Sequence, residues 1–223
     1  MKKKRDRISI LQLICLMILF TGCANVAPAA SSLSPERINE LRQEYPAEQG
    51  FPPNIMAREI PFQQVLDVAD AVIIAEVVQP NPNFRSELPA EPNTPEGALA
   101  EKTNKQGLSP AVYEFVSYQV RVEEVIDGEP VQDTIDLFYN AEFQGFEPQL
   151  QSGMKIVTAI MSGTGDEQEG KYSFTRYGTY YIVDEEYVLS AYEGHSEELT
   201  TFASQTNGKR LAHLIRTIKE LAH

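Results

Sequence analysis

A mainly β domain with flanking helices, its sheet curled into a barrel and its chain closing on an amphipathic helix, is the fold class the sequence predicts. Three observations point there. Residues 71–78 (AVIIAEVV) and 155–161 (KIVTAIM) are β-branched runs of strand length. Residues 112–126 alternate Val116, Tyr118, Val120 and Val122 with Ser117, Gln119, Arg121 and Glu123, then slip phase at Glu123-Glu124, as a β-bulge does where a strand bends. Residues 208–221 carry Leu211, Leu214, Ile215, Ile218 and Leu221 on one helical stripe, with Lys209, Arg210, Arg216 and Lys219 off it.

The chain opens with Lys2, Lys3, Lys4, Arg5 and Arg7 against the single acid Asp6, followed by an apolar run over residues 8–20. A basic head and an apolar core shorter than the ~20 residues of a membrane-spanning helix predict a secretory signal peptide over residues 1–22. Phe20-Thr21-Gly22-Cys23 resembles the lipobox of bacterial lipoproteins, with Phe20 where leucine is more usual. The resemblance implies a diacylglyceryl lipid, with acyl chains of the palmitate kind, on Cys23 as the first mature residue. It implies a protein held by its lipid at the extracytoplasmic face of the cell membrane, or at the outer membrane in a Gram-negative cell. Two acyl chains suffice for stable anchoring where one gives only marginal binding.

The chain has two cysteines, Cys15 within the leader and Cys23 at its end, so a mature domain would hold no thiol for a disulfide, a metal or a nucleophile. Removing the leader takes five basic and one acidic residue from 19 and 32, leaving 14 against 31 and a net charge of −17. Such a surface repels phosphate backbones, which excludes nucleic acid as an expected partner.

Residues 23–58 are expected to form the anchored N-terminus and linker. The small, Pro-containing stretch 24–33 suits a flexible tether reaching about 15–20 Å from the membrane. Ser34 and Pro35 read as an N-cap and first helical residue, with Ile38, Leu41 and Tyr45 at helical spacing and Pro46 ending the run. The barrel domain is expected over residues 59–192. It begins with a short amphipathic helix carrying Phe62, Val65, Leu66 and Ala69, then the strand 71–78, apolar on both faces and so central. Residues 79–110 hold six prolines, which predicts neither sheet nor long helix but an insertion, read either as disordered or as a binding loop, with a short helix opened by Thr94-Pro95-Glu96.

After strand 112–126, Asp127-Gly128 supplies a turn and residues 134–139 return as a strand. Strands are predicted at 155–161 and 171–174, and a hairpin of 179–183 with 187–191 across Asp184-Glu185-Glu186, whose composition predicts a loop of three or four residues. Residues 193–223 are expected to be helical.

The sequence of helix, Ala69-Asp70-Ala71-Val72, strand, long bent strand ending Val125-Ile126-Asp127-Gly128, and further strands is similar to a domain recurring in bacterial envelope lipoproteins. That domain resembles the netrin and tissue-inhibitor type. The resemblance implies an OB-like antiparallel barrel of five to seven strands with a C-terminal amphipathic helix. The cysteines of the netrin type are absent, so a protease-inhibitor role built on them does not carry over. OB surfaces bind oligosaccharides, oligonucleotides or proteins, and the fold does not choose among them.

Motifs for chemistry are sparse, and no residues are assigned to catalysis, to a metal or to a cofactor. His195 stands near Glu193, Glu197 and Glu198, and Asp166, Glu167 and Glu169 share a loop without the spacing of a calcium site. Tyr172, Tyr177, Tyr180 and Tyr181 are the candidate ligand contacts, since tyrosine offers contact area at low entropic cost; the competing reading is packing within the barrel. The sequence thus predicts a non-enzymatic binding module of the cell envelope, held to the membrane through Cys23 and engaging an envelope protein or glycan. The alternative is a hydrolase of envelope polysaccharide, which requires two carboxyl groups converging in one pocket.

Overall fold

The computed structural model describes residues 31–53, 58–87, 95–109 and 112–222, all within one compact unit, Ser31–His223. The leader and Phe20-Thr21-Gly22-Cys23 lie outside the described residues. The elements in order are α1 (Pro35–Leu41), α2 (Phe62–Leu66), β1 (Ala71–Glu87), α3 (Pro95–Lys105), β2 (Val112–Gly128), β3 (Thr134–Asn140), β4 (Lys155–Ser162), β5 (Lys171–Val183), β6 (Tyr187–Ser190), α4 (Glu197–Thr206) and α5 (Leu211–Leu221). Among the described residues no helix is long and apolar enough to cross a membrane.

The six strands lie in the order β3-β2-β1-β4-β5-β6, antiparallel throughout, and a parallel pairing of Asp136, Leu137 and Phe138 with Lys171, Tyr172 and Ser173 joins β3 to β5. That last pairing turns the sheet into a ring, the closure of an OB-like barrel, and removes the open edges of β3 and β5 there. The bend at Glu123-Glu124 is where the alternation predicts it. Ile74 faces Glu124 and the next residue, Ala75, faces Val122, so Glu123 has no opposite number and its carboxylate instead receives the Lys155 ammonium at 2.7 Å. Gly128 adopts φ +90 against Asp70, whose carbonyl oxygen would stand 2.2 Å from any Cβ, so no side chain fits at this turn.

Because alternate residues of a strand point to opposite sides, β1 feeds two cores. Ile73, Ala75 and Val77 point into the barrel with Val120, Leu137, Ile156 and Tyr181. Val72 and Ile74 point outward with Val157, Tyr180 and Val188, and α2 and α5 cover them. The stripe on α5 does what its spacing predicts, burying Leu214 and Ile218 completely at ~1.5–3 kcal/mol each. Ser34 caps α1 by accepting from the Arg37 amide at 3.2 Å.

Two expectations are corrected. β1 does not end at Val78: residues 79–87 continue it, pairing with residues 112–119 of β2 to form an arm beyond the barrel. Pro80 and Pro82 are tolerated because β4 leaves β1 at Glu76, so the arm presents an unpaired side on which a missing N–H costs no ladder bond. The arm is braced by Phe84, Phe115 and Phe138, whose rings pack at 5.2–5.6 Å, and by the Lys171 ammonium 4.9 Å over Phe84. Second, residues 171–174 and 179–183 are not separate strands but parts of β5, joined by a large bulge. The β5–β6 hairpin closes through three residues, with Asp184 and Glu185 at positive φ.

Candidate functional site

Two groups of polar side chains stand out, each built on an arginine. The first sits in the β5 bulge. Thr158 and Ile160 of β4 pair with Thr179 and Phe174, so Ala159 alone stands opposite Thr175, Arg176, Tyr177 and Gly178. The three extra residues turn Arg176 inward until it is 1% exposed. Its guanidinium donates to the carbonyl oxygens of Phe146 (2.8 Å) and Gly50 (2.7 Å) and to the Tyr177 hydroxyl (3.0 Å). The rings of Tyr192, Tyr177 and Phe51 face it with centroids 4.6, 5.0 and 5.2 Å away.

The Arg176 amide donates to Glu147 Oε2 at 2.6 Å, and burial pushes the Glu147 carboxyl up to about 7 although that hydrogen bond and the Arg176 charge act the other way. Burial likewise raises the Glu48 carboxyl, with the Arg176 charge opposing. The chain around Glu48 is tied down as a strap: its amide donates to the Ala191 carbonyl, its carbonyl accepts from the Glu193 amide, and Tyr45 packs on Tyr181 with centroids 5.5 Å apart. Among the described residues Arg176 itself is enclosed by these partners.

The second group is open. A cleft of about 620 Å³ runs between α1 and α4, lined by Ile38, Asn39 and Arg42 on one side and Thr200, Ala203 and Ser204 on the other. Ser190, Tyr192, Glu193, Gly194 and Asn207 also line it. Gly194 is required: a Cβ there would stand 2.6 Å from Leu199 Cδ1, so a side chain would push α4 away. Half-buried Arg42 follows the last turn of α1 and donates to the carbonyl oxygens of Tyr45 (3.1 Å) and Ser190 (2.8 Å) and to Asn207 Oδ1 (3.1 Å). Burial pulls its pKa below the ordinary arginine value, partly offset by the charges of Tyr181 and Glu193. A volume of this order suits a small ligand.

The neighbouring Glu59 fixes the entrance to α4, accepting from the His195 and Ser196 amides and the Tyr192 hydroxyl, each at 2.8 Å. Partial burial would raise its pKa, but these bonds together hold it below the usual carboxylate range. His195 is thus positioned through its backbone. Among the described residues no three or more His, Cys, Asp or Glu groups converge as metal ligands.

The four tyrosines singled out from the sequence are not gathered on one surface. Tyr180 and Tyr181 are buried on opposite sides of β5, Tyr180 beneath the helices with Phe62 and Tyr181 inside the barrel. Tyr172 packs against the barrel interior, and Tyr177 belongs to the aromatic enclosure of Arg176. Arg176, Glu147, Arg42 and Glu59 carry no motif. One signal for Arg176 does exist: Gly178 interrupts an otherwise strand-like run, which is the mark of a bulge or of close backbone approach. A Cβ at Gly178 would stand 2.9 Å from Val65 Cγ1 of α2.

No family model matches this chain, and no curated protein matches it.

Proposed function

We propose that this chain is a non-enzymatic binding module of the bacterial cell envelope, tethered at the extracytoplasmic face through a lipid on Cys23, and that the α1–α4 cleft is its ligand site. The observation that carries the reading is the cleft itself: open, about 620 Å³, and lined by amides, hydroxyls and one arginine among apolar side chains. Cleavage of a glycosidic bond requires two carboxyl groups flanking it, and among the described residues Glu193 is the single carboxylate lining this cleft. Binding is therefore better supported than hydrolysis.

Two measurements test this. Mass spectrometry of the mature protein is expected to find a diacylated Cys23 at its N-terminus, and Cys23→Ala is expected to leave the membrane fraction or remain unprocessed; an unmodified cytosolic chain refutes the tether. Cross-linking in intact cells from a photoreactive group at Ser204 is expected to capture an envelope component, whereas a group at exposed Lys105 on α3 is not.

A further inference from the structure

We propose that the α1–α4 cleft takes a zwitterionic ligand, an amino acid or short peptide with free ends, its carboxylate meeting Arg42 and its ammonium meeting Glu193. This rests on reading the cleft as a binding site and names the class of ligand. Opposite charges line one cleft close enough for the Glu193 charge to act on Arg42, yet among the described residues neither makes an ion pair within 4.0 Å.

Arg42 is oriented by neutral acceptors. Its bonds to Tyr45, Ser190 and Asn207 use three of its five N–H donors, which fixes the guanidinium plane and leaves donors for a planar carboxylate. A guanidinium partly withdrawn from water and bonded to uncharged oxygens gains most from an incoming anion. Glu193 is held at the other charge by one bond, from Gln49 Nε2 to its Oε2 at 2.8 Å. Asn39 and Ser204 line the same cleft with groups suited to a peptide amide, beside Ile38, Pro46 and Ala203 for small apolar side chains.

The charge of the whole chain narrows the class further. At net −17 without the leader it repels a simple anion, which favours a ligand whose carboxylate for Arg42 is accompanied by its own positive charge. Burial alone cannot select this ligand, since a neutral glycan would fill the same volume. Paired opposite charges are what discriminate.

The test uses the full chain in detergent, titrated by calorimetry with alanyl-alanine, with N-acetyl-alanyl-alanine amide, and with maltotriose as a neutral glycan. The free dipeptide is expected to bind, the doubly blocked form about tenfold more weakly or not at all, and binding of the free form to weaken as salt is raised. Glu193→Gln is expected to weaken the free dipeptide while leaving its N-acetyl derivative unchanged. Because Arg42 also holds Tyr45 and Ser190 in place, blocking the ligand's carboxylate as an amide tests that contact without altering the protein. Equal affinity for free and blocked dipeptide overturns the proposal. Binding of maltotriose alone overturns it while leaving a binding cleft, and binding of none of the three removes the cleft as a site of this kind.

Discussion

Arg176 and Arg42 hold the two ends of the same strap, through the carbonyls of Gly50 and Tyr45, and the chain treats them in opposite ways. Arg176 is enclosed by three aromatic rings, two backbone carbonyls and a tyrosine hydroxyl, and its Nε finds no hydrogen-bond partner among the described residues. Arg42 has three neutral acceptors and one side open to a cleft. The first cation joins three segments distant in sequence, through Gly50, Phe146 and the β5 bulge. The second leaves part of its bonding capacity unspent. A cation enclosed by rings and carbonyls serves the fold even with its Nε unpartnered, whereas one with an open face is available for recognition.

The contrast is sharpest in unfolding measurements. Arg176→Met is expected to lower the unfolding free energy by about 3–5 kcal/mol in urea titrations, because it leaves two partly buried carbonyls without their donor and the Glu147 carboxyl without its counter-charge. A loss below about 1 kcal/mol would mean that the aromatic enclosure, not the cation, holds the strap.

Next comes the pH dependence of the same group. Glu147 has a folded pKa of about 7 against an ordinary value of 4.5, so the folded state retains its proton where the unfolded chain has lost it. Its contribution is therefore most favourable below pH 4.5 and is lost as pH rises to about 7, by roughly 3 kcal/mol. Glu147→Gln keeps an acceptor for the Arg176 amide, removes the titration, and is expected to flatten most of that slope, with a residue from Glu48. The hydrogen-bonded carboxylates Asp70 and Glu59 have lowered pKa values and act in the opposite sense, losing stability only as pH falls below about 4.

Arg42→Ala is expected to cost about 1–2 kcal/mol, the scale of a few partly solvated hydrogen bonds, while abolishing any affinity that depends on its charge. Equality with the Arg176 variant would erase the distinction between the two sites. Arg37 gives the exposed end of the series. It pairs with Asp184 through two bonds of 3.0 and 2.7 Å, yet both side chains are in solvent, and Arg37→Ala is expected to leave the urea midpoint within experimental scatter.

Legibility in the sequence followed the range of the interaction. The α1 cap, the α5 stripe and the slip at Glu123 depend on residues within one or two turns of each other, and each is read correctly from spacing. The prolines at 80 and 82 misled because a proline reports a missing donor, not whether the ladder needs one there. Only the departure of β4 at Glu76 decides that. The two halves of β5 looked separate because 175–178 breaks the alternation, although Phe174 and Thr179 remain bound to the same neighbour.

From its own residues the chain determined the cores of most strands and helices, where β2 bends, the acidic surface and the absence of a thiol beyond Cys23, since these depend on local propensity and composition. The ring closure of β3 on β5, the burial of Arg176 and the gathering of Arg42, Glu193 and Asn207 around one cleft were decided by the folded chain. Each requires partners separated by tens to more than a hundred residues, and no periodicity carries that information: it exists once the strands have paired and the helices have found the faces left uncovered.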